Sequence, residues 1–271
     1  MRLQTYLERI GFDHEPLADV DTLRALLRAH VCSVPFENLD VQLGRPITTA
    51  VEHAYDKIVM AGRGGWCYEQ NGLLGWALAE IGFEVTRVAA AVMRAERGEA
   101  SAANHLALLV RTVDTEGEWL ADVGFGGSLF EPIRLATGEY RHPPYRLGLR
   151  RLADGYWQFW EDSGNGEFSY DFLAEPARED ALARRCEFLQ SDPQSNFVLN
   201  LVAQIRAPGR HISLRGRVLS VRDAGGEHRT TLESCAELLT TLRETFGLDV
   251  PDIGACWPQI VRRHQQLFPG S

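Results

Sequence analysis

One cysteine in the sequence has neighbours that could make it a nucleophile. Cys67 follows the glycine pair Gly64-Gly65 and begins a stretch with apolar residues at helical spacing that runs to Gly82. Glycines allow a tight turn and close approach of the backbone to a bound group. The amino end of a helix favours negative charge, so it favours the thiolate, the reactive form of cysteine. Backbone N–H groups at that helix end could also receive a developing oxyanion.

A histidine and an aspartate could complete a catalytic triad with this cysteine. His105 stands at the polar start of a predicted strand, and Asp122 ends the next predicted strand, just before a glycine turn. If these strands are neighbours, Asp122 can accept the Nδ1–H of His105 and stabilise an imidazolium formed with the Cys67 thiolate. Structural roles are the alternative for all three residues: a buried cysteine, a strand-end histidine and a turn-forming aspartate. Spacing alone leaves these alternatives open.

The hydrophobic pattern divides the chain into three regions that must position these side chains. Residues 1–83 have apolar residues at helical spacing, which predicts a bundle of helices. Residues 84–172 change to a period of two between turn residues, which predicts an antiparallel sheet or small barrel. The last third of the chain mixes both patterns and begins with a helix near 178–189. We therefore expect an α+β fold whose three parts pack together closely.

Local signals predict individual elements. Asp21 is a candidate N-cap for the second helix, and Thr230-x-x-Glu233 matches a capping box for a helix that runs toward Phe246. Further helices are predicted over 51–60 and 67–81 and near 178–189. The predicted strands are 85–93, 105–112, 119–123, 145–152, 156–160, 168–172, 197–205 and 211–221.

Composition and charge exclude several classes of partner. The net charge of −9 repels phosphate backbones, so we expect no nucleic acid partner. No apolar run approaches the roughly 20 residues that span a bilayer, so we expect no membrane partner. The amino terminus is predicted to be an amphipathic helix of the fold, not a signal peptide. The five cysteines are odd in number and scattered, which predicts free thiols in a reducing cytoplasm and no metal site.

Four segments, in their order and separation, form one specific signature. They are Val34–Leu39 (VPFENL), Arg63–Gly72 (RGGWCYEQNG), His105 at the start of its strand, and Asp122–Gly127 (DVGFGG). Together they resemble the arylamine N-acetyltransferases, particularly the bacterial and actinobacterial type. The resemblance implies a helical bundle, a β-barrel and a C-terminal α/β lid, with a cysteine-protease-like core. The boundaries expected for these parts are 1–83, 84–190 and 191–271.

The resemblance implies an activity and assigns roles within it. Acetyl-coenzyme A is expected as the acyl donor and an arylamine or arylhydrazine as the acceptor, in a ping-pong reaction without metal. Cys67 matches the acetylated nucleophile, His105 the base and Asp122 the residue that orients it. Gly126 and Gly127 are candidates to offer backbone N–H groups to the phosphates of the coenzyme.

Three phenylalanines are candidates for the acceptor site. Phe125 and Phe197 match aromatic positions that line the acceptor pocket in the family, with core packing as the alternative. Phe36 could join them, although core packing is the favoured interpretation there. Arg63 and Glu37 could form a buried ion pair that braces the loop before the nucleophile.

Other functions use the same residue types. An amide synthase of antibiotic biosynthesis resembles the same family and would use the same triad on a carrier-bound acyl chain. A papain-like peptidase or transglutaminase is a weaker match, because His105 follows Cys67 after only 38 residues and the usual context of the peptidase cysteine is absent. The chain could be a monomer or a homodimer.

Overall fold

The computed structural model describes residues 1–127, 129–164 and 166–268. The first third of the chain is mostly helical, as expected. A π-helical turn, Asp56–Met60, continues the fourth helix, so residues 51–60 are helical throughout. The elements are α1 (Leu3–Ile10), α2 (Val20–Ser33), β1 (Phe36–Glu37), α3 (Leu39–Gln42), α4 (Val51–Tyr55) and α5 (Cys67–Ile81).

The ends of two helices test the sequence signals. Helix α5 begins at Cys67 and ends at Gly82, whose φ of 108° is in the left-handed region, so this prediction is confirmed. The predicted N-cap of α2 is wrong. Asp19, and not Asp21, accepts the backbone N–H of Thr22 at 2.8 Å, and the helix begins at Val20.

The central region is an antiparallel sheet of eight strands that closes almost into a barrel. Its strand order is β5-β4-β3-β2-β9-β8-β7-β6, and a short helix α6 (Arg94–Arg97) with a 3₁₀ turn (Gly98–Ser101) joins β2 to β3. The strands are β2 (Glu84–Val92), β3 (His105–Arg111), β4 (Trp119–Ala121), β5 (Ile133–Arg134), β6 (Gly138–His142), β7 (Tyr145–Arg151), β8 (Trp157–Asp162) and β9 (Glu167–Phe172).

The last third builds a second antiparallel sheet with helices packed on it. Its strand order is β1-β10-β11-β12-β13, so β1 from the helical region forms one edge. Phe36 pairs with Gln204 and Glu37 with Ala203, which ties the segment before the nucleophile to this sheet. The elements are α7 (Glu179–Ser191), α8 (Asn196–Leu199), β10 (Val202–Ala207), β11 (Arg210–Arg215), β12 (Val218–Asp223), β13 (Gly226–Thr231), α9 (Cys235–Phe246), a 3₁₀ turn (Pro251–Cys256) and α10 (Trp257–Leu267).

Three predictions in the last third are wrong in detail. The span 197–205 is not one strand, because Phe197 lies in the helical turn α8 and the strand begins at Val202. The span 211–221 is two strands, β11 and β12, joined by a turn at Gly216. Thr230 lies in β13, and α9 is capped by Ser234, whose hydroxyl accepts the N–H of Glu237 at 3.2 Å.

The fold class is confirmed: an α+β chain with a helical bundle, a nearly closed antiparallel barrel and a C-terminal α/β part. The largest apolar core lies between the bundle and the barrel. A second core lies between the C-terminal sheet and α9. Across residues 1–127, 129–164 and 166–268, no helix is both long enough and apolar enough to traverse a lipid bilayer.

Candidate active site

The structure brings the predicted histidine and aspartate together. Strands β3 and β4 are antiparallel neighbours, with Leu108 opposite Ala121. This pairing places His105 beside Asp122, with 2.7 Å between Nε2 of the imidazole and Oδ2 of the carboxylate. The predicted atom is wrong: Asp122 contacts Nε2, and not Nδ1. Nδ1 is therefore the ring nitrogen left for the cysteine.

Cys67 completes the cluster from the amino end of α5. The side chains of Cys67, His105 and Asp122 are almost fully buried, since each residue exposes 3% or less of its surface. Burial lowers the pKa of His105, but the charge of Asp122 and hydrogen bonds to Asp122 and Cys67 outweigh it and raise that pKa to about 10. The imidazole is therefore protonated at neutral pH in this arrangement and stands beside the thiol.

Asn71 orients the aspartate, a role that sequence reasoning did not assign. Its side-chain amide donates to Asp122 Oδ1 at 2.8 Å and to the carbonyl of Leu106 at 2.6 Å. Its carbonyl oxygen accepts the N–H of Val123 at 3.0 Å. Asn71 lies four residues after Cys67, one turn along α5, so the same helix positions the nucleophile and the partner of Asp122. That spacing is the signal that could have identified it.

Gly124 lets the aspartate loop approach the nucleophile. A Cβ on Gly124 would lie 2.6 Å from Cys67 Cα and 2.7 Å from Asn71 Nδ2. Its backbone N–H donates to Asp122 Oδ1 at 2.8 Å. Burial raises the pKa of Asp122, but the charge and hydrogen bond of His105 outweigh this and hold it below its ordinary value. The hydrogen-bond partners of Asp122 therefore favour its ionised form.

The glycine pair before Cys67 packs against β1. The N–H of Gly65 donates to the carbonyl of Pro35 at 3.2 Å, and the N–H of Glu37 donates to the carbonyl of Gly65 at 3.0 Å. A Cβ on Gly64 would lie 2.1 Å from the Pro35 carbonyl oxygen, so no side chain fits there. The first two segments of the signature thus form one structural unit at the base of α5.

A buried charged cluster braces this unit. Arg63 Nη2 lies 2.7 Å from Glu37 Oε1, which realises the ion pair expected from the sequence. Lys57, on the π-helical turn, lies 2.8 Å from Asp40 Oδ2 and 3.0 Å from both carboxylate oxygens of Glu69. The cluster consists of Glu37, Asp40, Lys57, Arg63 and Glu69.

Glu69 connects the buried charged cluster to the nucleophile. Its Oε2 accepts the backbone N–H of Trp66, the residue before Cys67, at 3.1 Å. A carboxylate at this position satisfies an N–H group that the helix itself leaves without a partner. Burial raises the pKa of Glu69 to about 7, and Lys57 opposes this rise. The effect of burial is the larger one, so the Glu69 carboxylate at the first turn of α5 is only partly ionised at neutral pH.

Aromatic side chains form one wall next to the histidine. The Phe125 ring lies 5.3 Å from the His105 ring and stacks on Phe168 at 5.1 Å. Tyr170 packs 4.9 Å from the His105 ring and 4.8 Å from Phe125. Phe125 is half-buried. The ring of the predicted pocket residue Phe125 thus packs edge-on against the imidazole.

The other two predicted phenylalanines, Phe36 and Phe197, pack against each other beside Trp66. Phe197 is half-buried and packs 5.2 Å from Trp66 and 6.3 Å from Phe36. Phe36 is buried. Its ring belongs to the apolar core around Cys67 that also contains Trp66 and Tyr68. Phe197 is therefore partly accessible to solvent, whereas Phe36 packs against Phe197 from the core.

Gly126 and Gly127 lie in the turn after Asp122. Both have positive φ, 85° and 101°, which favours glycine at each position. A Cβ on Gly126 would lie 2.6 Å from Gln204 Oε1, and a Cβ on Gly127 would lie 2.6 Å from Arg206 Cγ. Backbone conformation and this packing therefore explain both glycines.

Comparison with known proteins supplies the identity. A protein-family model described as N-acetyltransferase matches residues 19–254. The arylamine N-acetyltransferase of Mycolicibacterium smegmatis is 39% identical to this chain over 260 residues, which cover 93% of this chain and 94% of that protein. That of Escherichia coli K12 is 34% identical over 272 residues and covers 92% of this chain and 90% of that protein.

Solved structures agree with this result. A structure of M. smegmatis arylamine N-acetyltransferase superposes with a TM-score of 0.88 at 36% identity and covers 97% of this chain and 98% of that chain. The Mycobacterium marinum arylamine N-acetyltransferase in complex with CoA has a TM-score of 0.87 at 32% identity and covers 98% and 99% of the two chains. These neighbours have the cysteine-protease-like fold expected from the sequence. The chain therefore belongs to the arylamine N-acetyltransferase family and is an acetyltransferase.

Proposed function

We propose that this protein transfers an acetyl group from acetyl-coenzyme A to arylamines and arylhydrazines through an acetyl-Cys67 intermediate. The observation that carries the proposal is the buried line of Cys67, His105 and Asp122, in which 2.7 Å separates the histidine and aspartate. A thiol, an imidazole and an orienting carboxylate are the groups that nucleophilic acyl transfer needs.

In the first half-reaction, the Cys67 thiolate attacks the carbonyl carbon of the acetyl thioester. The carbonyl π electrons move to oxygen, and backbone N–H groups at the first turn of α5 stabilise that oxyanion. The intermediate collapses, the bond to the coenzyme's sulfur breaks, and the His105 imidazolium gives its proton to the departing thiolate. Free coenzyme A and a Cys67 thioester result, and His105 is left neutral.

In the second half-reaction, the amine nitrogen attacks the acetyl carbon of the thioester. His105 Nδ1 accepts the proton that the nitrogen loses, while Asp122 stabilises the imidazolium through Nε2. The Cys67–carbon bond then breaks, and the thiolate and imidazolium are restored. Because an arylamine is neutral and nucleophilic at neutral pH, it needs only this one proton transfer.

The walls around the triad support an aromatic acceptor. Phe125 packs against His105 and Phe197 against Trp66, the residue before Cys67, and we expect both rings to exclude water that would hydrolyse the thioester. Phe36 supports Phe197 from the core. The residue types around Cys67 thus suit a flat, apolar ring.

The family neighbour with bound CoA supports coenzyme A as the donor's carrier. We propose that the N–H groups of Gly126 and Gly127 contact the coenzyme, since the turn that contains them begins beside Cys67. In the proposed division of the chain, residues 1–83 supply the nucleophile and residues 84–190 the histidine and aspartate. Residues 191–271 close over the substrates.

Steady-state kinetics tests the two-step mechanism. Initial rates measured against both substrates are expected to give parallel lines in double-reciprocal plots, because coenzyme A leaves before the acceptor binds. Without acceptor, the protein is expected to release one equivalent of coenzyme A and then stop. Intersecting lines with no release in the absence of acceptor would refute the acetyl-enzyme. If acetyl-coenzyme A is no donor for active protein, a carrier-bound acyl chain, as used by an amide synthase, is the substrate to test next.

A further inference from the structure

We propose that Glu69 and Gln70 are positioning residues for the nucleophile Cys67. They hold, from its two sides, the peptide group that joins Gly65 to Trp66. This inference rests on the proposed function, because it explains how the nucleophile of that reaction is kept in place. Trp66 directly precedes Cys67, so a rotation of this peptide group would displace the first residue of α5.

Glu69 binds the N–H side of the peptide group. Its Oε2 accepts the N–H of Trp66 at 3.1 Å. A Cβ on Gly65 would lie 2.9 Å from the same oxygen, so the glycine leaves room for the carboxyl group. Lys57 Nζ lies 3.0 Å from both carboxyl oxygens and ties the group to this place. The N–H of Trp66 is therefore occupied, and an oxyanion must be received by N–H groups that follow it in α5.

Gln70 binds the C=O side of the same peptide group. Its Nε2 donates to the Gly65 carbonyl at 2.6 Å and to the Pro35 carbonyl at 3.3 Å. The Gly65 carbonyl also accepts the N–H of Glu37 at 3.0 Å. Because Gln70 is fully buried, water cannot replace these contacts. Two consecutive residues of α5 thus hold the loop that precedes their own helix.

A chain of buried hydrogen bonds fixes the orientation of the Gln70 amide. His30 Nε2 lies 3.3 Å from Gln70 Oε1, and the Tyr6 hydroxyl lies 2.9 Å from His30 Nδ1. Burial lowers the pKa of His30 to about 3, so the imidazole is neutral and carries one proton. Since Gln70 Oε1 can only accept, His30 donates through Nε2, and its Nδ1 accepts the Tyr6 hydroxyl. Tyr6 and His30 lie on α1 and α2, so three helices set the position of one amide.

The position of Cys67 decides its reactivity through its contact with His105. The protonated imidazole forms a hydrogen bond with Cys67, which favours the reactive thiolate at neutral pH. A displaced first turn of α5 would break this contact and leave an ordinary thiol, which ionises only near about pH 8.5. The rate at which Cys67 reacts below that pH therefore reports on the position of the nucleophile.

The test measures alkylation of Cys67 by iodoacetamide across pH. Gln70→Met keeps the length of the side chain and removes its amide, and it is expected to slow alkylation at about pH 6.5 at least about tenfold. At about pH 9.5 an ordinary thiol is ionised as well, so the difference from wild type should shrink below about threefold. Glu69→Met is expected to behave in the same way. Glu69→Gln keeps an oxygen for the Trp66 N–H and should react within about threefold of the wild-type rate.

Gln158→Met is the matched control. Gln158 is also a buried glutamine, and it donates to Asp171 Oδ1 at 2.7 Å and accepts Arg150 Nε at 2.8 Å. These partners lie on β9 and β7, and not on the loop before Cys67, so this variant should react at the wild-type rate at both pH values. Wild-type reactivity of Gln70→Met at about pH 6.5 would overturn the proposal, and so would equal slowing in Gln158→Met.

Hydrogen exchange of the wild-type protein tests the same contacts without a variant. The Trp66 N–H is bound by a buried carboxyl group, so it is expected to exchange at least about 100-fold more slowly than in an unstructured peptide of the same sequence. Exchange at the rate of that peptide would overturn the proposal. Neither alkylation nor hydrogen exchange uses acetyl-coenzyme A. If both results hold and acetyl-coenzyme A releases no coenzyme A, the proposed function fails while the positioning role stands.

Discussion

The ion pair of Arg63 with Glu37 offers a quantitative test of how the nucleophile loop is held. Arg63 Nη2 and Nε lie 2.7 and 3.0 Å from Glu37 Oε1, and the Glu37 side chain is fully buried. Removing one partner of a buried pair usually costs about 3–5 kcal/mol of the free energy of unfolding. In Arg63→Met, Glu37 would still accept the backbone N–H of Leu39 at 2.7 Å and would still lie 3.9 Å from Lys57 Nζ. We therefore expect Arg63→Met to cost about 2–3 kcal/mol, below that range.

A double-mutant cycle isolates the interaction. Free energies of unfolding in urea are measured for wild type, Arg63→Met, Glu37→Gln and the double variant. The coupling energy is expected to be at least about 1 kcal/mol, because each single variant leaves the other group buried without its partner. The exposed pair Arg24–Asp21, 3.2 Å apart, is the control and should couple by less than about 0.5 kcal/mol. A buried-pair coupling as small as that of the control would refute the bracing role.

Three further variants and conditions test the site. Gly124→Ala is expected to slow alkylation of Cys67 by iodoacetamide at least about tenfold, because the new Cβ would lie 2.6 Å from Cys67 Cα. The control is Gly72→Ala, whose Cβ would have its nearest neighbour at 3.5 Å, and in this variant Cys67 should react at the wild-type rate. Asn71→Ala is expected to lower the free energy of unfolding in urea by about 2–4 kcal/mol, since the buried carbonyl of Leu106 and the buried N–H of Val123 each lose their contact with Asn71. A loss below about 1 kcal/mol would contradict the assigned contacts. The raised pKa of His105 stabilises the fold fully below its unfolded value of about 6.5, and this contribution is lost as pH rises toward the folded value of about 10. The free energy of unfolding should therefore fall between pH 6.5 and 9, and Asp122→Asn should make that fall smaller. Equal slopes of unfolding free energy against pH in wild type and variant would contradict the ion pair of His105 with Asp122.

Helix and strand bounds that depend on a few neighbouring residues could be predicted from the sequence. The apolar spacing after Cys67 and the glycine at position 82 correctly gave the bounds of α5, because helix periodicity and a left-handed C-cap are readable from a few residues. Six central strands were predicted within two residues of their observed ends. Strand β6, Gly138–His142, was missed because its residues are mostly polar, and pairing with β7 rather than its own pattern holds it at the edge of the sheet.

The features that could not be predicted from the sequence depend on contacts between residues that lie far apart in the chain. The contact of Asp122 with Nε2 rather than Nδ1 depends on the ring orientation that packing against Tyr170 and Phe125 selects. Lys57 gave no signal, because its carboxylate partners Glu37, Asp40 and Glu69 all lie more than ten residues away from it in the sequence. The capping box was placed four residues early, because Thr230 is held in β13 by pairing with Leu219. In each case a tertiary contact outweighed the local preference.

Intact-protein mass spectrometry after brief mixing with acetyl-coenzyme A tests the central claim most directly. The wild-type protein is expected to gain one acetyl group, to carry it on Cys67, and to lose it when an arylamine is added. Cys67→Ala is expected to gain none. An acetyl group on another residue, or one that an arylamine does not remove, would contradict the acetyl-Cys67 mechanism.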